Sequence, residues 1–180
     1  MSKQIALLRG INVGGKNKVP MAGLRKALTD HGFAGVATYV ASGNVVFDDP
    51  GTPPEETAAA VEAVVAEEFG LRIPVIARTR EEIAAVVAGN PLPEGAAEPA
   101  RFLAVFLSGP APAGAWFRTA DPASYAPDRF AIGDRVVYVW CPGGIGRSKL
   151  AADFSGRKLG VTATARNWNT VLKLLEMADG

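Results

Sequence analysis

Apolar residues change their spacing along the chain, and each change of spacing predicts a change of secondary structure. Residues 5–8 are four consecutive apolar positions, which is typical of a short buried strand. Residues 20–31 then carry apolar side chains three and four positions apart, which predicts a helix. Pro20 suits the first position of that helix, and Gly32 suits its end.

The first half continues with strands and helices in alternation. β-type runs at residues 36–42 and 45–47 are joined by Ser42-Gly43-Asn44, which predicts a hairpin and hence an antiparallel pair. The pattern then predicts three further elements: a helix that opens with a capping box of Thr52 and Glu55 and ends at Gly70, a strand at residues 72–77, and a helix capped by Thr79 and Glu82.

Residues 90–100 hold three prolines and separate the two halves of the chain, as a linker does. After this segment the order of elements recurs. The predicted elements are a strand at residues 102–107, a short helix at 113–119, a hairpin of 129–132 and 136–141 joined by Gly133-Asp134, a helix at 148–158, and a last helix from Asn167.

Both halves therefore follow the order β-α-β-β-α, which predicts an α+β fold. This order is typical of split β-α-β, or ferredoxin-like, units, in which helices pack on one face of an antiparallel sheet. We predict two such ferredoxin-like halves, with antiparallel sheets and helices packed on one face. The first covers residues 1–90, and the second covers residues 101–180 and includes the terminal helix.

Composition narrows the class of protein. Of the 180 residues, 48% are apolar and 21% are charged, as in ordinary globular proteins. No apolar stretch approaches the roughly 18 residues of a membrane span, so we expect no membrane partner. One cysteine, Cys141, cannot form an internal disulfide, which favours a cytoplasmic location. His31 stands alone and no histidine or cysteine cluster has zinc spacing, so we expect no metal site.

Charge is unevenly distributed, although the net charge is only +1. Residues 1–31 hold six lysines and arginines against Asp30 alone, and residues 141–173 hold six against Asp153 alone. Residues 48–100 instead carry eleven acids against three arginines. If the two basic segments meet in space, they form a surface that attracts anions. Otherwise these charges only solvate the helices that carry them.

The segment RGINVGGKNKVP, residues 9–20, lies between the first strand and the first helix. Its glycines at positions 10 and 15 and its lysine at 16 spell G-x-x-x-x-G-K, the frame of a phosphate-binding P-loop. However, Asn17 replaces the hydroxyl that ligates magnesium, and Pro20 places the helix start too late. The predicted hairpin is also antiparallel, whereas a P-loop fold has a parallel sheet. A P-loop-like phosphotransferase is therefore the least favoured function.

The same segment supports a weaker prediction. Val19, directly ahead of the helix, carries no side-chain acceptor, so the first N–H groups of the helix need one from elsewhere. Asn17 supplies that acceptor if its side chain folds back. A bound phosphate or carboxylate supplies it equally well, and Arg9, Lys16 and Lys18 then add positive charge.

Two polar segments near the C-terminus also lie at predicted helix starts. In GGIGRSKL, residues 143–150, Ser148 is able to cap its own helix. In TATARNWNT, residues 162–170, Asn167 is the natural N-cap, whereas Arg166 has no comparable local role. The predicted buried stripe of the last helix is Trp168, Leu172 and Leu175.

Three separated blocks resemble the bacterial family known as domain of unknown function 1697. They are LLRGINVGGKNKVPM at the start, TYVASGNVVF in the first hairpin and TARNWNTVLKLLEMA near the C-terminus. The resemblance spans essentially the whole chain and implies an α+β fold with two ferredoxin-like halves, but no established activity. The motif positions of the family correspond here to Arg9, Gly10, Asn12, Gly14, Gly15, Lys18, Ser42, Gly43, Asn44, Arg166, Asn167, Trp168 and Thr170.

These patterns lead to one main functional hypothesis: a small anionic, phosphate-bearing ligand binds in a pocket formed by the N-terminal glycine-rich loop and the C-terminal basic segments. Nucleic-acid binding through the same basic face is the alternative. The sequence identifies no cofactor and no catalytic residue, and it leaves enzymatic activity and oligomeric state open. The predicted ligand-binding residues are Arg9, Asn12, Gly14, Gly15, Lys16, Lys18, Ser42, Asn44, Lys149, Arg166 and Asn167.

Overall fold

Two four-stranded antiparallel sheets form the framework of the computed structural model, which describes residues 2–180. The first sheet has the strand order β2-β3-β1-β4. Its strands are β1 (Lys3–Leu8), β2 (Ala37–Tyr39), β3 (Asn44–Asp48) and β4 (Val75–Thr79). The α+β class and the first hairpin are confirmed, because β2 and β3 pair antiparallel with Tyr39 opposite Asn44.

Two helices pack on one face of this sheet: α1 (Met21–Asp30) and α2 (Pro54–Phe69). The helices carry apolar side chains at helical spacing, and every second residue of each strand faces them, so both sets meet in one core. The central members of this core are Ala6, Leu8, Leu24, Leu28, Val45, Phe47, Val61 and Val65. Burying each larger side chain contributes about 1.5–3 kcal/mol to folding.

The predicted helix ends are partly correct. Gly70 ends α2 in the left-handed conformation with φ 65°, as expected. The capping box of Thr52 and Glu55 is wrong, because Pro53 is the N-cap and no side chain caps α2. The box of Thr79 and Glu82 is confirmed for α3 (Arg80–Ala88). Here the backbone N–H of Glu82 donates to Thr79 Oγ1 at 3.0 Å, and that of Thr79 donates to Glu82 Oε1 at 3.1 Å.

The second sheet repeats the order of the first, as β6-β7-β5-β8. Its strands are β5 (Phe102–Leu107), β6 (Arg129–Gly133), β7 (Val136–Trp140) and β8 (Ala163–Asn167). The helices beside it are α4 (Pro93–Ala96), α5 (Trp116–Thr119), α6 (Lys149–Gly156) and α7 (Trp168–Asp179), and short 3-10 turns cover Pro99–Arg101, Pro122–Tyr125 and Ile145–Arg147.

One face of the second sheet forms a core with α5 and α6. Its central members are Val105, Leu107, Phe117, Val137, Val139, Leu150 and Phe154. The opposite face is also covered by helical residues of the same unit, because the Trp168 ring lies 4.7 Å from that of Phe102, and the Tyr138 hydroxyl donates to Val86 O at 2.7 Å. Tyr138 is therefore part of the core of this unit and is only 3% exposed.

Several predicted elements need correction. Residues 90–100 are not a plain linker, because they contain α4 and a 3-10 turn. The strand predicted at 72–77 begins later, at Val75. β8 was not predicted, since its two buried side chains, Thr164 and Arg166, are polar. The buried stripe of α7 runs through Trp168, Val171 and Leu174, and Leu172 is 40% exposed.

The chain divides into two compact units. The described residues of the first unit are 2–84 and 173–180, and the second unit comprises residues 85–172. The boundaries therefore fall inside α3 and α7. The first unit contains the sheet of β1 to β4, and the second contains the sheet of β5 to β8.

The same arrangement occurs in each unit where its last strand runs into the following helix. In each, a buried arginine precedes the N-cap residue: Arg78 before Thr79, and Arg166 before Asn167. Both arginines occupy the penultimate position of their strand, on the face opposite to the core residues Ala77 and Ala163. This shared detail supports two similar halves, although their sequences differ.

Candidate functional site

Residues 9–20, the opening loop, connect β1 to α1 as a miniature hairpin. Its tip is a tight turn in which the Lys16 N–H donates to Val13 O at 2.9 Å. Gly14 and Gly15 occupy the two central positions with φ of 57° and 76°. A turn with two positive φ angles strongly favours glycine, so the glycine pair is explained by the turn itself. Both glycines are exposed, and added Cβ atoms would meet nothing within 4 Å.

Asn12 holds the opening loop against its surroundings. Its Oδ1 accepts a hydrogen bond from the Val19 N–H at 2.8 Å, and its Nδ2 donates to Val19 O at 2.9 Å and to Ala41 O at 2.8 Å. Asn17 donates from its Nδ2 to Gly10 O at 3.1 Å. Asn17 therefore closes the opening loop on itself and does not cap α1, so that alternative is wrong.

The N-terminus of α1 lies directly after this loop and has no side-chain cap. Pro20 is the N-cap and not the first helical residue, and it has no N–H of its own. The first backbone bond into the helix runs from the Leu24 N–H to Pro20 O at 2.9 Å. The N–H groups of residues 21–23 precede this bond, so they have no partner inside the helix. The first turn also contains no acidic residue to offset the helix dipole.

Three cations precede this helix start in the sequence: Arg9, Lys16 and Lys18. All three are exposed, and none forms an ion pair with a carboxylate in residues 2–180. Some other cations of this unit are paired, such as Lys3 with Asp48 at 2.7 Å and Lys26 with Asp30 at 2.6 Å. The positive charge of the opening loop is therefore not neutralised by the described part of the chain.

Ser42 and Asn44, two further predicted ligand residues, are engaged in the turn between β2 and β3. Asn44 is fully buried, and its Nδ2 donates to Tyr39 O at 2.8 Å and to Ser42 Oγ at 2.9 Å. The Leu8 N–H donates to Gly43 O at 2.9 Å, which joins this turn to β1. These bonds give both side chains a local role, as expected for a turn.

The same turn contains a residue that sequence reasoning missed. Val40 has φ 50° and is 49% exposed. A β-branched side chain in the left-handed region is strained by about 1–3 kcal/mol. Because no pattern in the sequence marks a valine for positive φ, only the structure reveals this position.

The remaining predicted residues, Lys149, Arg166 and Asn167, lie in the second unit. Arg166 is only 6% exposed, and its Nη1 donates to Thr164 Oγ1 at 2.7 Å and to Ala165 O at 2.8 Å. Burial lowers the pKa of Arg166 to about 10. The structure therefore supplies the local role that the sequence did not show. The Lys149 side chain is exposed at the start of α6.

Asn167 caps α7, since its Oδ1 accepts from the Thr170 N–H at 2.9 Å. We expect Asn167→Ala to lower the free energy of unfolding by about 1 kcal/mol, because one N–H of the first turn loses its acceptor. Asn169→Ala is the matched control, since Asn169 is exposed one position inside the same helix start. Urea unfolding of both variants measures the difference. Equal stabilities would show that the cap contributes nothing.

The P-loop alternative does not fit this geometry. The sheet of the first unit is antiparallel, and α1 begins at Met21, several residues after Lys16. The two carboxylates that end the hairpin also have structural partners. Asp48 pairs with Lys3, and Asp49 Oδ1 accepts from Gln4 Nε2 at 3.0 Å and from the Gly51 N–H at 2.8 Å. Neither is placed as an unengaged general base.

Two general properties of the described residues complete the picture. Residues 2–180 contain no group of three or more His, Cys, Asp or Glu side chains placed to hold a metal ion. No helix in this range combines the length and apolarity needed to cross a membrane.

His31 lies at the C-cap of α1, where a hydrogen bond to Ala27 O and then one to Glu67 raise its pKa.

Comparison with protein-family models shows which family the chain belongs to. The model of a family described as "Protein of unknown function (DUF1697)" matches residues 1–138. The chain belongs to this family. The resemblance stated from the sequence is confirmed, and the matched residues include the opening loop and the first hairpin. The third block, TARNWNTVLKLLEMA, lies beyond the matched residues of the DUF1697 model. No curated protein matches the chain.

A solved structure shares the fold of this DUF1697 protein. It is described as the structure of conserved bacterial protein SP0830 from Streptococcus pneumoniae, with a TM-score of 0.73 and 22% sequence identity. The match covers 98% of each chain. At this identity the likeness concerns the fold alone, and it extends over both units.

Proposed function

We propose that this DUF1697 protein binds a small phosphate-bearing or otherwise anionic ligand where the opening loop meets the N-terminus of α1. The observation that carries the proposal is the coincidence of an uncapped helix start with three exposed cations that lack ion pairs. Backbone N–H groups at a helix N-terminus and nearby cations both favour negative charge, and together they are a recurrent means of holding phosphate.

The rigidity of the opening loop supports this proposal. Lys16 lies in the turn that its own N–H closes, and Lys18 directly precedes Val19, which the Asn12 side chain fixes on both its N–H and its C=O. A loop held in this way loses little conformational entropy when an anion binds. The glycine pair at the tip and Asn12 thus act by shaping the loop, and the cations and helix N–H groups act on the ligand.

It stays a prediction that Lys149, Arg166 and Asn167 line one pocket together with the opening loop. Arg166 and Asn167 already have hydrogen-bond partners in their own unit, so the proposal does not depend on them. It assigns binding and no reaction, because Asp48 and Asp49 have structural partners. We further assign both units to the ferredoxin-like class, on the element order β-α-β-β-α-β and the strand orders β2-β3-β1-β4 and β6-β7-β5-β8.

Thermal-shift measurements with inorganic phosphate, sulfate, sugar phosphates and nucleotides test the proposed function. A ligand at about ten times its Kd stabilises the folded state by about 1.4 kcal/mol. For a protein of this length that raises Tm by about 3–6 °C. We expect such a rise for the unmodified protein and its loss in the double variant Lys16→Gln/Lys18→Gln.

Lys26→Gln is the matched control for this experiment. Lys26 is equally exposed but pairs with Asp30 near the end of α1, away from the helix N-terminus. It should retain the ligand-dependent rise in Tm. A rise that is the same in the double variant and in the control would show that the opening loop is not the binding site. No rise with any of these anions would contradict the proposed function itself.

A further inference from the structure

A second group of cations without ion pairs lies in the second unit, around α6. Arg147 lies just before the helix, and Lys149 is its first residue. Arg157 and Lys158 follow its last residue, Gly156. All four side chains are exposed, and none pairs with a carboxylate in residues 2–180. Because α6 has eight residues, the two pairs are separated along the helix by about 12 Å.

Two of these cations are held over aromatic rings. Lys149 Nζ lies 5.6 Å from the centre of the Tyr125 ring, and Arg157 Cζ lies 4.3 Å from that of Trp116. The two rings belong to one cluster, with centroids 6.4 Å apart. A carboxylate partner would fix a cation and cancel its charge, whereas an aromatic face fixes the cation and leaves its charge available.

The nearby carboxylates have other partners. Asp153 Oδ2 accepts from the Tyr125 hydroxyl at 2.6 Å, and Asp128 Oδ2 accepts from Ser148 Oγ at 2.7 Å. Asp153 is the one carboxylate of α6 and offsets part of the positive charge. The four cations still leave an excess of positive charge on this helix. The exposed positions between the two cation pairs, such as Ala152 and Ser155, are small and uncharged.

From this geometry we propose that the exposed side of α6 binds the phosphodiester backbone of nucleic acid. Cations at both ends of the helix fit a ligand with phosphates at several positions better than a single phosphate group. Trp116 is covered by Arg157, and Tyr125 is 8% exposed, so neither ring is free to stack a base. Recognition therefore acts through phosphates and is independent of base sequence. The residues of this surface belong to the second unit and those of the opening loop to the first, and the inference does not require the function proposed for the opening loop.

Fluorescence anisotropy with a short oligothymidylate, titrated at increasing KCl concentrations, tests this inference. Each phosphate contact in single-stranded nucleic acid contributes about −0.7 to the slope of log K against log salt. Four contacts predict a slope of about −3, and Lys149→Gln or Arg157→Gln should reduce its magnitude by about 0.7. Lys158→Gln should do the same, and it removes an exposed charge without altering the aromatic cluster.

Two controls make the result specific. Arg101→Gln removes an exposed cation of the same unit that pairs with Glu98, and Lys26→Gln removes an exposed cation of the first unit that pairs with Asp30. Both should leave the slope unchanged. Absence of binding at low salt, or equal slopes in the α6 variants and the unmodified protein, would overturn the inference. So would an equal loss of slope in either control, or binding to anionic phospholipid vesicles without binding to the oligonucleotide.

Discussion

Gly43→Ala is expected to lower the free energy of unfolding by about 2–5 kcal/mol. A Cβ at this position would lie 2.8 Å from Ile11 Cδ1 and 2.9 Å from Leu8 Cβ, closer than real contacts allow. Leu8 and Ile11 are both buried, so neither has room to withdraw. The clash adds about 1–3 kcal/mol to the strain of an L residue at φ 93°, which costs about 1–2 kcal/mol.

Gly15→Ala isolates the strain from the clash. Gly15 also has a positive φ, of 76°, but a Cβ there would meet nothing within 4 Å. We expect this variant to lose only about 1–2 kcal/mol, because it carries the backbone cost alone. Urea unfolding of the two variants gives the comparison. If both lose the same stability, the close approach of Gly43 to Leu8 and Ile11 has no energetic consequence.

Asn12→Gly is expected to cost about 2–4 kcal/mol of stability and to weaken anion binding as well. Glycine adopts the φ of 55° found at Asn12 without strain, so the variant removes the side chain and leaves the backbone conformation unstrained. Three hydrogen bonds are lost, and two of them satisfy the N–H and C=O of the fully buried Val19. A buried backbone group without a partner costs about 1–3 kcal/mol.

Asn17→Gly provides the matched comparison for Asn12. Asn17 has nearly the same φ, 51°, but its side chain makes one hydrogen bond, to the O atom of the exposed Gly10. We expect a loss below about 1 kcal/mol, since water can replace that bond. Chemical unfolding measures stability, and phosphate titration measures binding. Equal losses in the two variants would show that Asn12 does not organise the loop.

Local signals in the sequence were sufficient for much of the fold. The continuous apolar run of β5 predicts its bounds, Phe102–Leu107, because a central buried strand needs apolar side chains on both faces. The capping box of Thr79 and Glu82 and the stop at Gly70 were also predicted, since caps depend on residues within a few positions of one another.

The errors arise where distant parts of the chain determine the structure. β8 is a strand because it pairs with β5, and Arg166 is buried there only because hydrogen-bond acceptors are present, so no apolar alternation marks it. In α7, Val171 is buried and Leu172 is exposed, a choice that tertiary packing makes and helical spacing alone does not.

The candidate site was predictable in its charges but not in its geometry. The sequence shows Arg9, Lys16 and Lys18 beside glycines, and that pattern indicates anion binding. It does not show that Asn12 reaches Ala41, because twenty-nine positions, including α1 and β2, separate these two residues. The residue types of a site are local information, whereas the hydrogen bonds that fix them are long-range.

A titration with inorganic phosphate followed by ¹H–¹⁵N NMR tests the anion-binding proposal most directly. The N–H groups of Met21, Ala22 and Gly23 have no partner within α1 and are the proposed donors. We expect their amide signals to show the largest saturable shifts, together with those of Lys16 and Lys18, and we expect the shifts to vanish in Lys16→Gln/Lys18→Gln. Unchanged signals at residues 21–23, or larger saturable shifts elsewhere in the chain, would contradict anion binding at this helix start.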